Sequence, residues 1–448
     1  MSRKLILLFA ASALSFAPQP ATAQDTTTRS VVAQGAPRPI SVQEAVRLAR
    51  ENNVSAITAA NQIRTAQNQV RSARAQRLPS LNASMSQNKS AGQRIGPQNT
   101  LVDYNAAWSY STSLSSSITL FDAGKTSADV RTQQANVAAA EANQITTEFS
   151  LAAQVKTQYN QILAANEQEA AARAQLALAQ QQLATSIAKV NAGAATVSDS
   201  LRNVVAVGNA QLSILNAQQS ARAASAALTH LVGTPYLVTA TLSDTVELRL
   251  TPVDSMSVMQ LAVNGPAIRQ SESQNRALAS AERSAKTAYL PTIRANLGFG
   301  GSGTAPYGIG ADSDNRFPYN RSIGVSLSYP IFNNFTRENQ VAAAHINYEN
   351  AQAQLRDQRL TAQQNIITQL GTLRNAEERI RVQQLNVRLN EEDLRVQQQR
   401  YQLAAAVLLD VLQSQSNLFA ARLQLISARL DYRNARAQIE AIIGQDLP

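Results

Sequence analysis

Between Leu373 and Leu403, large apolar residues return every seven positions as Leu373, Ile380, Val387, Leu394 and Tyr401. A second series, Val382, Leu389, Val396 and Leu403, keeps the same period. At about 100° per residue the two series lie roughly 200° apart on a helix. A helix with one core to face shows one apolar stripe. This one shows two, with polar flanks between them. One flank carries Arg374, Arg381, Arg388 and Arg395; the other carries Gln383, Asn390 and Gln397, with Asn386, Asp393 and Arg400. The pattern predicts a stave gripped on its left and right while its inner and outer faces stay wet.

Residues 24–40 are polar and proline-punctuated and read as an extended arm. Ser41 with Glu44 forms a capping box for a helix running to about Arg77, which Leu78-Pro79 ends. A strand over 80–87 precedes a polar loop from about Gln87 to Asn105. A second strand over 107–121 sets Trp108, Tyr110, Leu114, Ile118 and Leu120 on one face and a row of serines on the other. Phe121-Asp122-Ala123-Gly124 turns the chain into a long helix, 125–190. Asn191 to Ala195 breaks it, and a return helix, 198–232, stops at Gly233. A mid-length β segment spans 236–253.

The order then repeats. Helices over 254–289, interrupted at Gly265-Pro266, lead to Leu290-Pro291. Strands over 292–300 and 321–332 flank a loop from Gly300 to Asn320. A long helix, 337–402, breaks near Ala404, and a return helix, 409–443, ends before Gly444. The offset is 211 residues at Phe121/Phe332, Asp199/Asp410 and Gly233/Gly444, and 212 at Pro79/Pro291. Residues 41–235 and 254–448 therefore read as a tandem duplication.

The strands have one apolar face each, and the helices spend both apolar seams on one another. The apolar strand faces therefore want lipid, with Trp108, Tyr110, Phe299, Tyr329 and Phe332 as interfacial aromatics. An open four-stranded sheet leaves unpaired backbone at its edges, which a bilayer does not tolerate. Copies of the chain must close it. The expected class is an α+β membrane protein with four transmembrane β-strands and long antiparallel helices per chain. Three copies would build a 12-strand β-barrel and a 12-helix α-barrel, leaving a wet duct.

Composition narrows this further. The 448 residues carry a net charge of +10 and no cysteine, so disulfides and thiolate metal sites are excluded. Arg3 and Lys4, an apolar run from Leu5 to Ala17 and Ala21-Thr22-Ala23 predict a signal peptide over 1–23, whose removal leaves +8. No later apolar run is long enough for a membrane helix. The arginines are scattered among Gln and Asn without basic blocks or interleaved aromatics, which argues against nucleic acid. His230 and His345 lack ligand spacing, and the run Gly298, Gly300, Gly301, Gly303 lacks the strand–turn–helix setting of a dinucleotide site. No enzyme, cofactor or metal centre is expected.

With its duplicated strand–strand–long-helix–return-helix halves, and with Leu-Pro before the first strand of each, the chain resembles the TolC family of outer-membrane efflux channels. The likeness spans nearly all of the expected mature chain. Its most specific match is Arg400-Tyr401 followed by Leu409-Asp410-Val411-Leu412-Gln413, with Val197-Ser198-Asp199 as the first-half counterpart. The resemblance implies a homotrimer in outer-membrane lipid, its helices crossing the periplasm toward an adaptor and an inner-membrane pump. It places Ser198, Asp199 and Tyr401 in a closing network at the helix tips, and Asp410 in an acidic ring that attracts cations. Gly193, Ala194, Ala404 and Ala405 would meet the adaptor. Gln413 and Ala406 depart from the family pattern, as does Leu403-Ala404 beside the retained Gly193, and imply fewer closing links. Asp199 and Asp410 also suit helix N-terminal acids. The competing reading is a periplasmic coiled-coil adaptor or scaffold; adaptors carry one hairpin, whereas two are read here.

Overall fold

The computed structural model describes residues 37–97, 99–105, 108–241, 254–305, 319–403 and 405–447. The expected signal peptide, most of the arm and the segment 242–253 lie outside the described residues. A four-stranded antiparallel sheet holds β2 (Ser80–Asn88), β5 (Trp108–Phe121), β7 (Thr292–Ala305) and β8 (Tyr319–Ser328) in the order β2-β5-β7-β8. The register aligns parity across all four strands. Leu81 opposes Ser116, which opposes Leu297, which opposes Ile323; Ala83, Leu114, Phe299 and Arg321 form another row. One face is thus predominantly apolar, with Ile323 83% exposed on it and Arg321 at its outer end. The other is a ladder of small polar side chains, with Ser80–Ser117, Ser84–Ser113 and Ser86–Ser111 hydroxyl pairs at 2.7–2.9 Å.

Below the sheet run α3 (Lys125–Asn191) and α7 (Thr336–Gln402), each 67 residues or about 100 Å. The return helices α4 (Val197–Val232) and α8 (Leu408–Ile443) are each 36 residues. All four boundaries repeat at 211. The corners entering the long helices also repeat, with paired left-handed residues at Ala123-Gly124 and Asn334-Phe335. Phe335 accepts this uncommon conformation with its ring set edge-on to Phe332, centroids 5.6 Å apart.

Two shorter helices, α2 (Val54–Ala75) and α6 (Pro266–Lys286), rise back toward the sheet. Each is spliced end to end onto a return helix. Gly233, at φ +71°, abuts Asn52, and the Asn53 amide donates to Leu231 O at 2.9 Å. Gly444, also at φ +71°, abuts Pro266. Glycine is required at both joints, because the backbone is left-handed and a Cβ would enter the next helix. A belt of α1 (Val42–Asn52), α5 (Ser255–Val263), β1 (Arg38–Ile40) and β6 (Val238–Ala240) girds the joints. β1 pairs in parallel with β6, and the Tyr159 hydroxyl ties them by donating to Ile40 O and accepting from Thr241 N.

The staves pack largely through alanines, with larger side chains gathered at the belt level and the tips and a smaller cluster of Ile426, Phe419, Leu423 and Leu430 against Ala164 and Ala171 between them. Tyr159, Ile162 and Leu228 anchor one cluster; Ile366, Leu373 and Tyr432 anchor another. Lateral order is α2-α3-α6-α7 above the belt and α4-α3-α8-α7 below it, matching the strand order. On α7, Leu373, Ile380, Leu394 and Tyr401 are buried, whereas Val382, Leu389, Val396 and Leu403 are exposed. One seam is filled within the protomer and the other stands open.

Several sequence expectations need correction. The helix read over 41–77 is two helices, because Asn53 leaves the helical region (φ −71°, ψ 134°) and its side chain caps α2 through Ser55 N. The loop at 87–105 contains a hairpin of β3 (Ala91–Ile95) and β4 (Leu101–Asn105), turned at Gly96-Pro97 with Asn99 at φ +56°. The strand over 292–300 continues to Ala305, so residues 300–305 belong to no loop; the ring of Tyr110 lies where a Gly303 side chain would stand. The strand over 321–332 instead spans 319–328, because Pro330 has no amide hydrogen to continue the ladder.

Candidate functional site: the helix tips and the apolar sheet face

At the far end of the staves the two hairpin turns lie side by side. In the first, Gly193 is left-handed at φ +71°, and Ala194 N donates to Lys189 O at 2.8 Å. In the second, Ala405 N donates to Arg400 O at 2.8 Å; Ala404 lies outside the described residues. Gly193, Ala194 and Ala405 are all exposed.

Tyr401 joins the two hairpins. It is buried, and the Lys189 ammonium sits 3.8 Å from its ring centroid while donating to Tyr401 O at 2.9 Å. A cation over an aromatic face that also bonds a carbonyl locks the end of α3 against the end of α7. Burial, and then the negative charge of Asp199, push the Tyr401 hydroxyl above its ordinary range, so it stays neutral at physiological pH. Sequence reasoning missed Lys189. Its signal was the repeat itself, since Lys189 lies 211 positions before Arg400, which bonds Ala405 O within its own turn at 3.4 Å.

The paired acids have different surroundings. Asp199 is held in a capping box: its amide donates to Thr196 Oγ1 at 3.3 Å, and its carboxylate accepts from the Thr196 amide and hydroxyl. Asp410 occupies the same third position of α8, but Val407 stands where Thr196 would be and offers no hydroxyl. Among the described residues nothing hydrogen-bonds or ion-pairs with the exposed Asp410 side chain. Ser198 is exposed at the mouth of a groove that Leu201, Val205, Leu412 and Phe419 also line. The structure thus brings Asp199 and Tyr401 together and leaves Ser198 and Asp410 on open surfaces.

At the other end, Trp108 and Tyr110 lie on the apolar face near the outer hairpin, while Tyr329 and Phe332 lie at the corner with α7. Phe299 opposes Leu114 and stands 6.0 Å from the ring of Tyr319. The ten residues from Tyr319 to Ser328, tilted by ~40°, span about 25 Å, the height of an outer-membrane barrel's apolar band. Among the described residues no helix is long and apolar enough to cross a membrane.

The profile of the outer membrane efflux protein family matches residues 45–234 and 258–445, one match per repeat. A pyoverdine export outer membrane protein of Pseudomonas aeruginosa, OpmQ, is 26% identical over 382 residues, covering 82% of this chain and 76% of that protein. The fold is shared with CusC, whose crystal structures concern transmembrane channel formation (TM-score 0.75, 21% identity, 93% of this chain and 96% of that one). It is also shared with the open state of the MtrE outer membrane channel of Neisseria gonorrhoeae (TM-score 0.71, 21% identity, 90% and 89%).

Proposed function

This chain belongs to the outer membrane efflux protein family and resides in the outer membrane, and from that premise we propose that three copies form one continuous export duct. The observation that carries the reading is the pair of open edges. Strands β2 and β8 end the sheet, and α4 and α7 end the wall of staves. Exposed apolar stripes lie on both outer staves: Leu201, Val205 and Leu212 on α4, and Val382, Leu389 and Val396 on α7. A neighbour's α4 against α7, with β2 against β8, extends both walls at once, and four alternating strands per copy keep the closed barrel antiparallel.

The number of copies follows from the inward side chains. An eight-stranded barrel is filled by side chains, whereas apart from Arg294 near its inner end these strands present Ser, Gly, Asn and Thr inward, which are too small to fill it. Twelve tilted strands give a circumference of about 75 Å and a backbone diameter of about 24 Å, wide enough for water and solutes. The belt packs on one side of the wall, where Arg374 bonds Ser255 at 2.5 Å. An open duct requires the belt outside, so the flank with Gln383, Asn390 and Gln397 faces the lumen. An amide lining offers no strong single-sign field to hold a cargo in transit.

In this reading the helical part crosses the periplasm, and the signal peptide over 1–23 directs export. The tips are the gate: Lys189–Tyr401 binds the two hairpins of each protomer, and Asp410 from three copies forms a cation-attracting ring. Gly193, Ala194, Ala404 and Ala405 meet a periplasmic adaptor, through which an inner-membrane pump drives small solutes or secreted proteins outward. Leu389→Glu with Val396→Glu tests the seam. Both side chains are exposed in the protomer, so helicity by circular dichroism should persist while the heat-sensitive trimer and planar-bilayer conductance disappear. A persisting trimer with unchanged conductance would overturn the assembly.

A further inference from the structure

The lipid-facing side of the sheet carries two cations among its described residues, both at its outer end. Arg321 opposes Phe299 in the β7–β8 register, its guanidinium 5.2 Å from the Tyr319 ring centroid and 5.9 Å from that of Phe299. The Lys89 ammonium stands 5.7 Å from the Trp108 ring. No Asp or Glu shares this face among the described residues. In one protomer the cations sit at opposite edges of the sheet, on β8 and just past β2. Closing the barrel reverses that separation. Matching the strand ends, with Ser80 of one copy opposite Ser328 of its neighbour, preserves the polar and apolar parity. It then sets Lys89 opposite Tyr319 and Gln87 opposite Arg321. Lys89 and Arg321 become diagonal neighbours, about 7–8 Å apart at their backbones.

Two cations brought together at the rim of an apolar band repel each other unless an anion lies between them. Their charged heads stand beside aromatic rings at the outer end of the apolar band, the level at which interfacial aromatics meet lipid headgroups. Guanidinium and ammonium together suit a tetrahedral oxyanion: the first binds two oxygens in a fork, the second acts as a point charge. We propose that Lys89 of one protomer and Arg321 of its neighbour clamp the phosphate of an outer-leaflet lipid headgroup, one site at each of three seams. The proposal rests on the trimeric channel reading and adds a lipid that bridges the protomers.

The test is native mass spectrometry of the detergent-purified full-length trimer, titrated with diphosphorylated lipid A and with the same lipid stripped of phosphate. Wild type should retain up to three phosphorylated lipids and prefer them at least ten-fold over the stripped form. Lys89→Gln with Arg321→Gln should erase that preference, and each single change should reduce it. Equal binding of both lipids by wild type, or an unchanged preference in the double variant, would overturn the clamp. Conductance of the same samples separates the two readings. A conducting trimer without phosphate preference removes only the clamp, whereas a chain that forms neither trimer nor pore removes both.

Discussion

Replacing Lys189 with Met keeps the aliphatic stem beside Tyr401 and deletes the charge. Two interactions end at that ammonium, the bond to Tyr401 O at 2.9 Å and the ring contact at 3.8 Å. A charged hydrogen bond contributes about 1.5–3 kcal/mol, and a cation–π contact at a half-exposed site about 0.5–1 kcal/mol. Ordering a lysine side chain opposes these by up to about 2 kcal/mol. At the middle of each range the net is about 1 kcal/mol per protomer. If three protomers release together, the closed tip loses about 3 kcal/mol, a shift of roughly 10² in the open-to-closed ratio. Single-channel recordings in planar bilayers measure that ratio directly. The double variant Lys189→Met with Tyr401→Leu should open little further than Lys189→Met alone, because the ring contact that Tyr401→Leu removes is already lost and the Tyr401 backbone oxygen no longer has its donor. An open probability within two-fold of wild type in Lys189→Met, or fully additive effects in the double variant, would refute the assignment of this contact to closure.

Asp410→Asn should weaken block of the pore by multivalent cations without changing the melting temperature, whereas Asp199→Ala should cost about 1 kcal/mol by removing the capping box. Block currents paired with thermal unfolding distinguish these outcomes, and unchanged block in Asp410→Asn would remove that acid from the ring. Gly444→Ala forces a left-handed alanine and sets its Cβ 2.7 Å from Pro266 Cδ, so the helix splice should weaken by more than the ~1 kcal/mol of backbone strain alone; an unshifted melting curve would contradict this. The bond from Lys156, first, and its charge hold the Asp446 carboxyl below its ordinary value. A depressed carboxylate pKa contributes stability that is present above about pH 4 and lost as pH falls through the folded value. Asp446→Asn should therefore flatten the acid limb of the unfolding profile, and acid limbs parallel to wild type would contradict the linkage.

The staves were legible because heptad spacing encodes which sides are gripped. The two stripes on α7 became one buried seam and one exposed seam. Strand parity was legible for the same reason: a face that meets lipid must be apolar at every second residue. What stayed hidden had no such pattern. The β3–β4 hairpin buries neither face, so Gln93, Arg94 and Asp103 carry no alternation to read. The break at Asn53 is local, a side chain that caps one helix and bonds across to Leu231. Glycines 300, 301 and 303 read as loop because their strand geometry is supplied by β5, including the ring of Tyr110. Lys189 was visible only through its repeat partner Arg400, since nothing local marks a last-turn lysine as a link between hairpins.

The differences between the repeats explain why a duplicated chain need not behave as a six-fold object. Duplication sets helix lengths, corners and joints to the same values in both halves, which a closed cylinder needs if its staves are to end level. At the tips the residues diverge. Thr196 gives α4 a hydroxyl cap that holds Asp199; Val407 gives α8 none, so no side-chain cap engages Asp410. Lys189 reaches across to the other hairpin, while Arg400 bonds within its own turn. The first hairpin thus carries a side-chain cap at its turn; the second lacks that cap and is held by its own buried cluster of Leu394, Tyr401, Leu408 and Val411 together with the bond from Lys189. α8 also packs along α3 through Lys156–Glu440, Asn160–Asn434 and Arg429–Glu167, so the asymmetry between the halves is confined to the tips. In the proposed trimer, loosening Lys189–Tyr401 would therefore act on the end of α7 and leave the upper staves in place.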